Sequence, residues 1–198
     1  MLTLYHAPRS RSSRFIWLIE ELAAPYALKL VSIRRGDGSG ALDPANPHPH
    51  GKVPVLVHDG AMIFESPAIA LYLTDTFPKN RLGAAIGAAG RGAYLTWLAY
   101  YGDVLEPAFM SKFLNTPVPR GTAGWVPAEE AMEFVTKTLS GQPYLLGEAF
   151  SAADVLYGST FALFRTSPLL PKSQVIEDYV ARCTGRPAYA RALAKDNG

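Results

Sequence analysis

Hydroxyl and cationic side chains are concentrated in one short segment near the start of the chain. The run Ser10-Arg11-Ser12-Ser13-Arg14, with Arg9 just ahead of it, leads into the first segment of helical periodicity. Cations at a helix N-terminus oppose its positive dipole, at a cost of about a few tenths of a kcal/mol each. The arrangement therefore indicates a bound anion. The structural alternative is that the arginines pair with Glu20, Glu21 or a second subunit.

A second candidate binding feature is the sequence Glu65-Ser66-Pro67. Ser66 suits a helix N-cap and Pro67 suits the first helical position. The carboxylate of Glu65 can bind an ammonium group. The helix N-terminus beside it favours an anion and can bind a carboxylate. The structural alternative is a capping serine next to a solvated glutamate.

Metal and cysteine chemistry are not expected. His48 and His50 offer two imidazoles, but no third ligand lies nearby, so a closed zinc site is not predicted. Cys183 is the only cysteine, which excludes an internal disulfide and a CxxC pair and predicts a small buried hydrophobe. Ser151 and Asp154 have the spacing of a capping box, which favours a folding role for Asp154 over acid catalysis.

Composition limits the class of protein. Of 198 residues, 48% are hydrophobic and 18% are charged, which predicts a globular core rather than disorder. Nineteen Lys and Arg against 17 Asp and Glu give a net charge of +2 without a dense basic run, so a nucleic-acid partner is not expected. The sequence has no signal-like N-terminus and no apolar run of membrane-spanning length. We expect a cytoplasmic protein with no membrane partner.

The elements that must position these residues fall into two groups. The first half predicts a βαβ unit, a long loop over residues 34–51, and a ββα unit whose hairpin turns at Asp59-Gly60. The predicted strands are residues 2–5, 26–33, 53–57 and 61–64, and the predicted helices cover residues 15–22 and 67–77. The second half predicts only helices, around residues 91–114, 128–140, 151–165 and 174–195. We predict domains over residues 1–78 and 91–198, joined by a linker over 79–90.

The order of these elements and four motifs resemble the cytosolic glutathione transferases over the whole chain. The motifs are Ser10 to Arg14 after the first strand, Gly51-Lys52-Val53-Pro54, Glu65-Ser66 with Ala68-Ile69, and Gly147 through Asp154. The resemblance implies a thioredoxin-like N-terminal domain that binds glutathione and an all-α C-terminal domain that supplies an apolar pocket. It also implies a homodimer, with glutathione as co-substrate and no permanently bound cofactor.

The resemblance implies a residue that stabilises the glutathione thiolate. Members of the family place a tyrosine, serine or cysteine after the first strand, and this segment has no cysteine. Tyr5 lies too early, within the strand, so Ser10 is predicted as the catalytic residue, with Ser12 as the reserve and Ser13 not excluded. Arg11 is predicted to stabilise the thiolate or an anionic co-substrate.

The remaining predicted contacts follow the chemistry of the tripeptide. Glu65 would hold the γ-glutamyl ammonium and Ser66 its carboxylate, while a cis peptide at Val53-Pro54 would present Val53 to the cysteinyl backbone. Lys52 would pair with the glycyl carboxylate, and His50 would touch the ligand. The predicted lining of the pocket for the second substrate is Tyr101, Phe109 and Phe113.

The predicted reaction is attack of the glutathione thiolate on a small electrophile, mostly apolar, or on a peroxide. Two alternatives stay open: glutathione-dependent disulfide exchange, and a binding or regulatory protein that has lost the chemistry. The presence of Glu65, Ser66 and Val53-Pro54 argues against the second, since a protein that no longer bound glutathione would not need them.

Overall fold

The first part of the chain forms a four-stranded mixed sheet. In this computed structural model, which describes residues 1–196, the strands are β1 (Leu2–His6), β2 (Ala27–Leu30), β3 (Val55–His58) and β4 (Ala61–Phe64), in the order β2-β1-β3-β4. β1 pairs with β2 in parallel and with β3 antiparallel, and β3 and β4 form the predicted hairpin. Asp59 and Gly60 both have positive φ, at 49° and 85°, as a two-residue hairpin turn requires.

Helices α1 (Ser13–Leu22) and α2 (Ser66–Thr76) complete the predicted βαβ and ββα pattern. α1 is buried continuously from Arg14 to Ile19, so more than one of its faces is covered. α2 begins at Ser66, one residue earlier than the cap prediction implied, with Glu65 in the N-cap position. The thioredoxin-like arrangement of this part of the chain is therefore confirmed.

The last described helix packs on the first. The chain divides into two compact units, one made of residues 1–80 with the segment from Pro187 onward, the other of Arg81–Arg186. The helix α8 (Pro187–Asp196) lies in the first unit, where the ring of Tyr189 meets Trp17 edge-on at 4.9 Å between centroids. Glu20 of α1 accepts hydrogen bonds from Arg191 and Lys195 of α8. The predicted C-terminal domain over 91–198 includes the residues of α8, together with the other helices. Residues 197 and 198 of that domain lie outside the described residues, and the boundary between the two predicted domains stays a prediction.

The second unit is helical, apart from an isolated bridge between Tyr144 and Gly147. Its helices are α3 (Arg91–Tyr100), α4 (Glu106–Phe113), α5 (Ala128–Ser140), α6 (Ala152–Leu163) and α7 (Gln174–Thr184). A π-helical turn over Tyr101–Leu105 joins α3 to α4, so the first predicted helical stretch is continuous but not uniformly α-helical. The last predicted stretch divides into α7 and α8, because Gly185 ends one and Pro187 starts the other. The all-α prediction for this part is confirmed.

The capping box predicted at the start of α6 is present. Asp154 accepts from the backbone N–H and the hydroxyl of Ser151 at 2.9 and 2.8 Å. Across residues 1–196, no helix has the length and apolar character needed to cross a membrane.

Candidate functional site

One edge of the sheet brings three predicted segments together. Tyr5 of β1 pairs with Val55 of β3, and Val55 pairs with Phe64 of β4. β4 ends at this row, β3 begins there, and β1 ends one residue beyond it, so the segments 7–13, 52–54 and 65–66 all leave the sheet at the same edge. The sequence motifs assigned to one ligand thus come from one place in the fold.

Ser10 lies in the loop that leads into α1 and is partly exposed. Its hydroxyl donates to the Ala7 carbonyl at 2.7 Å or to the Ser12 hydroxyl at 2.7 Å, and accepts from the Ser12 backbone N–H at 3.2 Å. No side-chain hydrogen bond caps α1, whose N-cap position is Ser12. Ser10 therefore does not act as the helix cap that a purely structural explanation would require.

Ser12 differs from Ser10 in its surroundings. Its side chain is fully buried, accepts from the Ala7 N–H at 3.2 Å, and lies 2.8 Å from Nδ1 of His6. The two hydroxyls are in contact, but Ser10 is the one with exposed surface. Ser13 is partly exposed, and its hydroxyl donates to Asp196 at the end of α8.

The arginines of this segment take different positions. Arg9 and Arg11 are exposed, whereas Arg14 is buried on α1. Arg9 has a φ of 53°, in the left-handed region, and its backbone N–H points to Asp196 at 3.3 Å. Glu20, one of the acids considered as a partner for the arginines, is bound by Arg191 and Lys195 of α8.

Glu65 and Ser66 lie where β4 passes into α2. Glu65 is exposed, with a φ of 70°, and Ser66 is buried at the first helical position. Its backbone N–H is among the first four of the helix, which have no partner within the helix and favour an anion. The acid and the helix N-terminus are thus adjacent, as the sequence predicted.

The loop that carries His50, Lys52, Val53 and Pro54 is held by Asn46, which sequence reasoning missed. Its side-chain amide donates to the Lys52 carbonyl at 3.0 Å, and its oxygen accepts from the His48 N–H at 3.1 Å. The His48 ring is nearly buried against Phe64, 5.1 Å between centroids, and burial followed by the nearby His50 charge lowers the His48 pKa. His50 and Lys52 are exposed, and the Val53-Pro54 peptide is cis, as predicted.

Two further residues reach this edge that the sequence did not single out. His6 is fully buried at the end of β1, and its Nε2 lies 3.2 Å from Oδ1 of Asp196, in ionic contact without hydrogen-bond alignment. Burial lowers the pKa of His6, and the charge of Asp196 opposes that effect only in part. A separation of 190 positions between the two residues leaves no sequence signal for this contact.

The residues predicted to line an apolar pocket lie in the second unit. Tyr101 and Phe109 are buried there, with Tyr101 hydrogen-bonded to Thr160 at 2.8 Å and Phe109 edge-on to Phe164, while Phe113 is exposed. A cavity of about 370 Å³ in the same unit is formed instead by the end of α4, the loop before α5 and the start of α5. Its lining includes Ala108, Lys112, Trp125, Val126 and Pro127.

The chain thus combines a thioredoxin-like α/β unit with a helical unit. The predicted ligand-binding motifs of the α/β unit lie at one edge of its sheet. Residues 1–75 match the family model for the glutathione S-transferase N-terminal domain. Residues 1–75 therefore form a glutathione S-transferase N-terminal domain, and the chain is similar to glutathione S-transferases over its whole length.

Relatives and solved structures extend the similarity over the whole chain. The chain is 25% identical to glutathione S-transferase GstA of Escherichia coli O157:H7, over 98% of each chain. It is 28% identical to the disulfide-bond oxidoreductase YfcG of Escherichia coli K12, over 98% of this chain and 95% of that one. A sphingomonad glutathione S-transferase complexed with glutathione is 26% identical, with a TM-score of 0.73 over 98% of each chain.

Proposed function

We propose that this protein activates the thiol of glutathione for attack on a small electrophile or a peroxide, with Ser10 as the catalytic residue. The proposal depends mainly on the position of Ser10, whose hydroxyl is partly exposed. Ser10 lies in the loop between β1 and α1, at the same sheet edge as Val53-Pro54 and Glu65-Ser66. In the reaction the thiol loses its proton and the sulfur forms the new bond, to carbon with departure of a leaving group, or to peroxide oxygen with cleavage of the O–O bond.

A free thiol, with a pKa of about 8.5, is only a few per cent thiolate at neutral pH. Lowering the pKa by about two units needs roughly 2.7 kcal/mol of preferential interaction with the anion. Interactions of the thiolate with the Ser10 hydroxyl, the N-terminus of α1 and the positive charge of Arg11 can together supply a free energy of this size. Their common position in segment 10–14 supports this assignment.

The other predicted contacts would hold the tripeptide so that its sulfur reaches Ser10. Glu65 would bind the γ-glutamyl ammonium, and the N-terminus of α2 at Ser66 its carboxylate. Val53 would pair with the cysteinyl backbone, and Lys52, with His50 beside it, would lie near the glycyl end. The apolar second substrate would occupy a pocket of the helical unit, for which Tyr101, Phe109 and Phe113 remain the proposed lining.

The test is calorimetric titration with glutathione, followed by ultraviolet absorbance of the bound thiolate as a function of pH. In Ser10→Ala the loss of one hydrogen bond to the anion should raise the pKa of the bound thiol by about one unit, with little change in affinity for the tripeptide. The matched control is Ser39→Ala, which removes an exposed hydroxyl bound to Asp37 in a loop of the same unit. An unchanged ionisation curve in Ser10→Ala would transfer the role to another group.

Glutathione-dependent disulfide reduction is the second candidate, because the similar protein from Escherichia coli K12 is a disulfide-bond oxidoreductase. Cys183 cannot supply the thiol for this reaction, since it is buried and burial raises its pKa far above the ordinary value. Glutathione itself would have to attack the disulfide. Turnover of a mixed disulfide without turnover of an aryl halide favours this function over the first.

We further propose a homodimer located in the cytoplasm. A single buried cysteine gives the chain no disulfide of its own, which suits a reducing compartment. Light scattering after size exclusion would test the dimer, with a mass of twice 21.4 kDa expected.

A further inference from the structure

Four side chains form a continuous chain of contacts from the end of α8 to the proposed catalytic hydroxyl. Asp196 Oδ1 lies 3.2 Å from Nε2 of His6, His6 Nδ1 lies 2.8 Å from Oγ of Ser12, and Ser12 Oγ lies 2.7 Å from Oγ of Ser10. His6 and Ser12 are fully buried and Asp196 is nearly so, whereas Ser10 is partly exposed. The chain of contacts thus has one end available to a ligand.

We propose that this chain of contacts is a proton relay in which His6 receives the thiol proton of glutathione through Ser10 and Ser12, and Asp196 stabilises the resulting imidazolium. The inference rests on the proposed function, since it concerns how the same thiol is ionised. His6, Ser12 and Asp196 act through Ser10 and are positioning residues.

The count of hydrogen-bond donors and acceptors fits a relay. Each hydroxyl has one proton and two acceptor positions. With neutral His6, the Ser12 hydroxyl donates to Nδ1 and accepts from the Ala7 N–H and from Ser10. Ser10 then has a lone pair left to accept the thiol proton, because its other acceptor position is taken by the Ser12 N–H.

Transfer of one proton along the relay reverses every bond in it without moving a heavy atom. The S–H bond breaks as Ser10 gains that proton, Ser10 passes its own to Ser12, and Ser12 passes its own to His6 Nδ1. The products are a thiolate and an imidazolium, so charge and protons balance. Ser10 now donates to the sulfur, Ser12 to Ser10, and His6 to Ser12, which is the arrangement that stabilises a thiolate.

The surroundings of His6 suit a proton acceptor. Its lowered pKa, caused first by burial, keeps the ring neutral near pH 7 before the ligand binds. From α8 the carboxylate of Asp196 faces Nε2, and from the start of α1 the Ser12 hydroxyl faces Nδ1. Leu30 of β2 pairs with His6 in the sheet and brings no charge. The imidazolium would therefore form beside the negative charge of Asp196.

The relay predicts where the thiol proton goes when glutathione binds. At about pH 7 His6 is neutral before glutathione binds, and in the complex the negative charge of the thiolate should raise the His6 pKa, so the wild type should form thiolate while releasing almost no proton to the buffer. Calorimetry in two buffers of different ionisation enthalpy measures the release, and ultraviolet absorbance measures the thiolate. In addition, the ¹⁵N shifts of the His6 ring should change from neutral to protonated when glutathione binds.

Two variants interrupt the relay at different points. In His6→Asn an amide remains beside Ser12 but cannot take up a proton, so thiolate formation should release one proton per thiolate, and kcat/KM should fall about 10²-fold. Asp196→Asn removes only the charge at the end of α8, where folding is less at risk than at a strand, and should shift proton release in the same direction. The matched control is His58→Asn, on β3 of the same sheet, whose ring contacts Tyr72 at 2.9 Å outside the relay.

The outcomes separate this inference from the function on which it rests. Thiolate formation with one proton released per thiolate in the wild type would overturn the relay and leave the proposed function intact. No thiolate, or no binding of glutathione, would overturn the proposed function and the relay with it. We expect the wild type and His58→Asn to form thiolate without proton release. We expect His6→Asn and Asp196→Asn to release a proton to the buffer when they form thiolate.

Discussion

Glu65 combines an exposed carboxylate with a backbone that few non-glycine residues adopt. Its φ of 70° and ψ of 126° lie outside the usual left-handed helical region, which costs of order 1–3 kcal/mol. The backbone at the junction of β4 and α2 thus places the exposed Glu65 residue directly before the N-terminus of α2. A role in ligand binding accounts for such a cost better than a role as a solvated charge.

Glu65→Gln should weaken glutathione binding about 10-fold, equivalent to roughly 1.4 kcal/mol. Glutamine preserves the size and the backbone preference and removes only the charge that would face the γ-glutamyl ammonium. Calorimetric titration measures the change, and Glu148→Gln, at an exposed acid of the helical unit, is the control. With an analogue that lacks the γ-glutamyl amine, wild type and Glu65→Gln should bind alike; a full 10-fold difference there would contradict the assignment.

At the scale of elements, the start of α6 depends on one buried carboxylate. Asp154 accepts from the Leu145 N–H at 2.9 Å and from the Tyr179 hydroxyl at 2.9 Å, in addition to both donors of Ser151. The aspartate thus links α6 to α7 and to the segment that precedes α6. Four donors converge on one group, which is why the capping box is more than a local helix signal.

Asp154→Asn should destabilise the protein by about 3 kcal/mol. The substitution replaces one carboxylate oxygen with an NH₂ group, which cannot accept hydrogen bonds, so some of the buried donors around residue 154 lose their acceptor. Urea denaturation measures the loss. Asp178→Asn, at an exposed position on α7, is the matched control and should remain within about 0.5 kcal/mol of the wild type. Equal midpoints for the two variants would mean that Asp154 does not hold these elements together.

The contact of α8 with α1 should depend on pH through Glu20. Burial would raise the pKa of Glu20, but hydrogen bonds from Lys195 and Arg191, with the charge of Lys195, outweigh it and hold the pKa below the ordinary value of 4.5. A depressed pKa in the folded state stabilises the fold above the unfolded-state value, and the contribution is lost as pH falls through the folded-state value.

Glu20→Gln should therefore cost about 1 kcal/mol of stability at neutral pH, and the difference from wild type should vanish as the pH falls through the lowered folded-state pKa of Glu20. Thermal unfolding followed from neutral to acidic pH tests this. Glu133→Gln, at an exposed site on α5, should show no such convergence. A pH-independent difference for Glu20→Gln would show that the lost interaction is packing rather than charge.

For the whole molecule, the sequence was a good guide to elements and a poor guide to distant contacts. The hairpin around Asp59-Gly60, the start of α2 near Ser66, and the capping box at Ser151 were predictable because each signal lies within a few residues. The contacts of Asp196 with Ser13 and His6 span nearly the whole chain, and periodicity carries no information over that distance. The interruption at Gly185 was visible in composition, but nothing in the pattern indicated that α8 packs on α1.

The position of α8 leads to a prediction for the molecule as a whole. A chain ending at Arg186 should lose stability by about 3 kcal/mol or more, because α1 is buried on more than one face and would expose Trp17 where Tyr189 now packs. Denaturation followed by tryptophan fluorescence can report on each unit, since Trp17 lies in the first while Trp97 and Trp125 lie in the second.

The shortened chain should also release one proton to the buffer for each glutathione thiolate that it forms, since Asp196 leaves with α8. A synthetic peptide of residues 187–196, added in excess, should restore both the fluorescence of Trp17 and thiolate formation without proton release, because Glu20 would again meet Arg191 and Lys195. The same peptide with Asp196→Asn should restore the fluorescence while the thiol proton is still released to the buffer, which separates the packing role of α8 from its charge. Unchanged stability of the shortened chain would mean that the sheet and its first two helices are complete without the end of the chain.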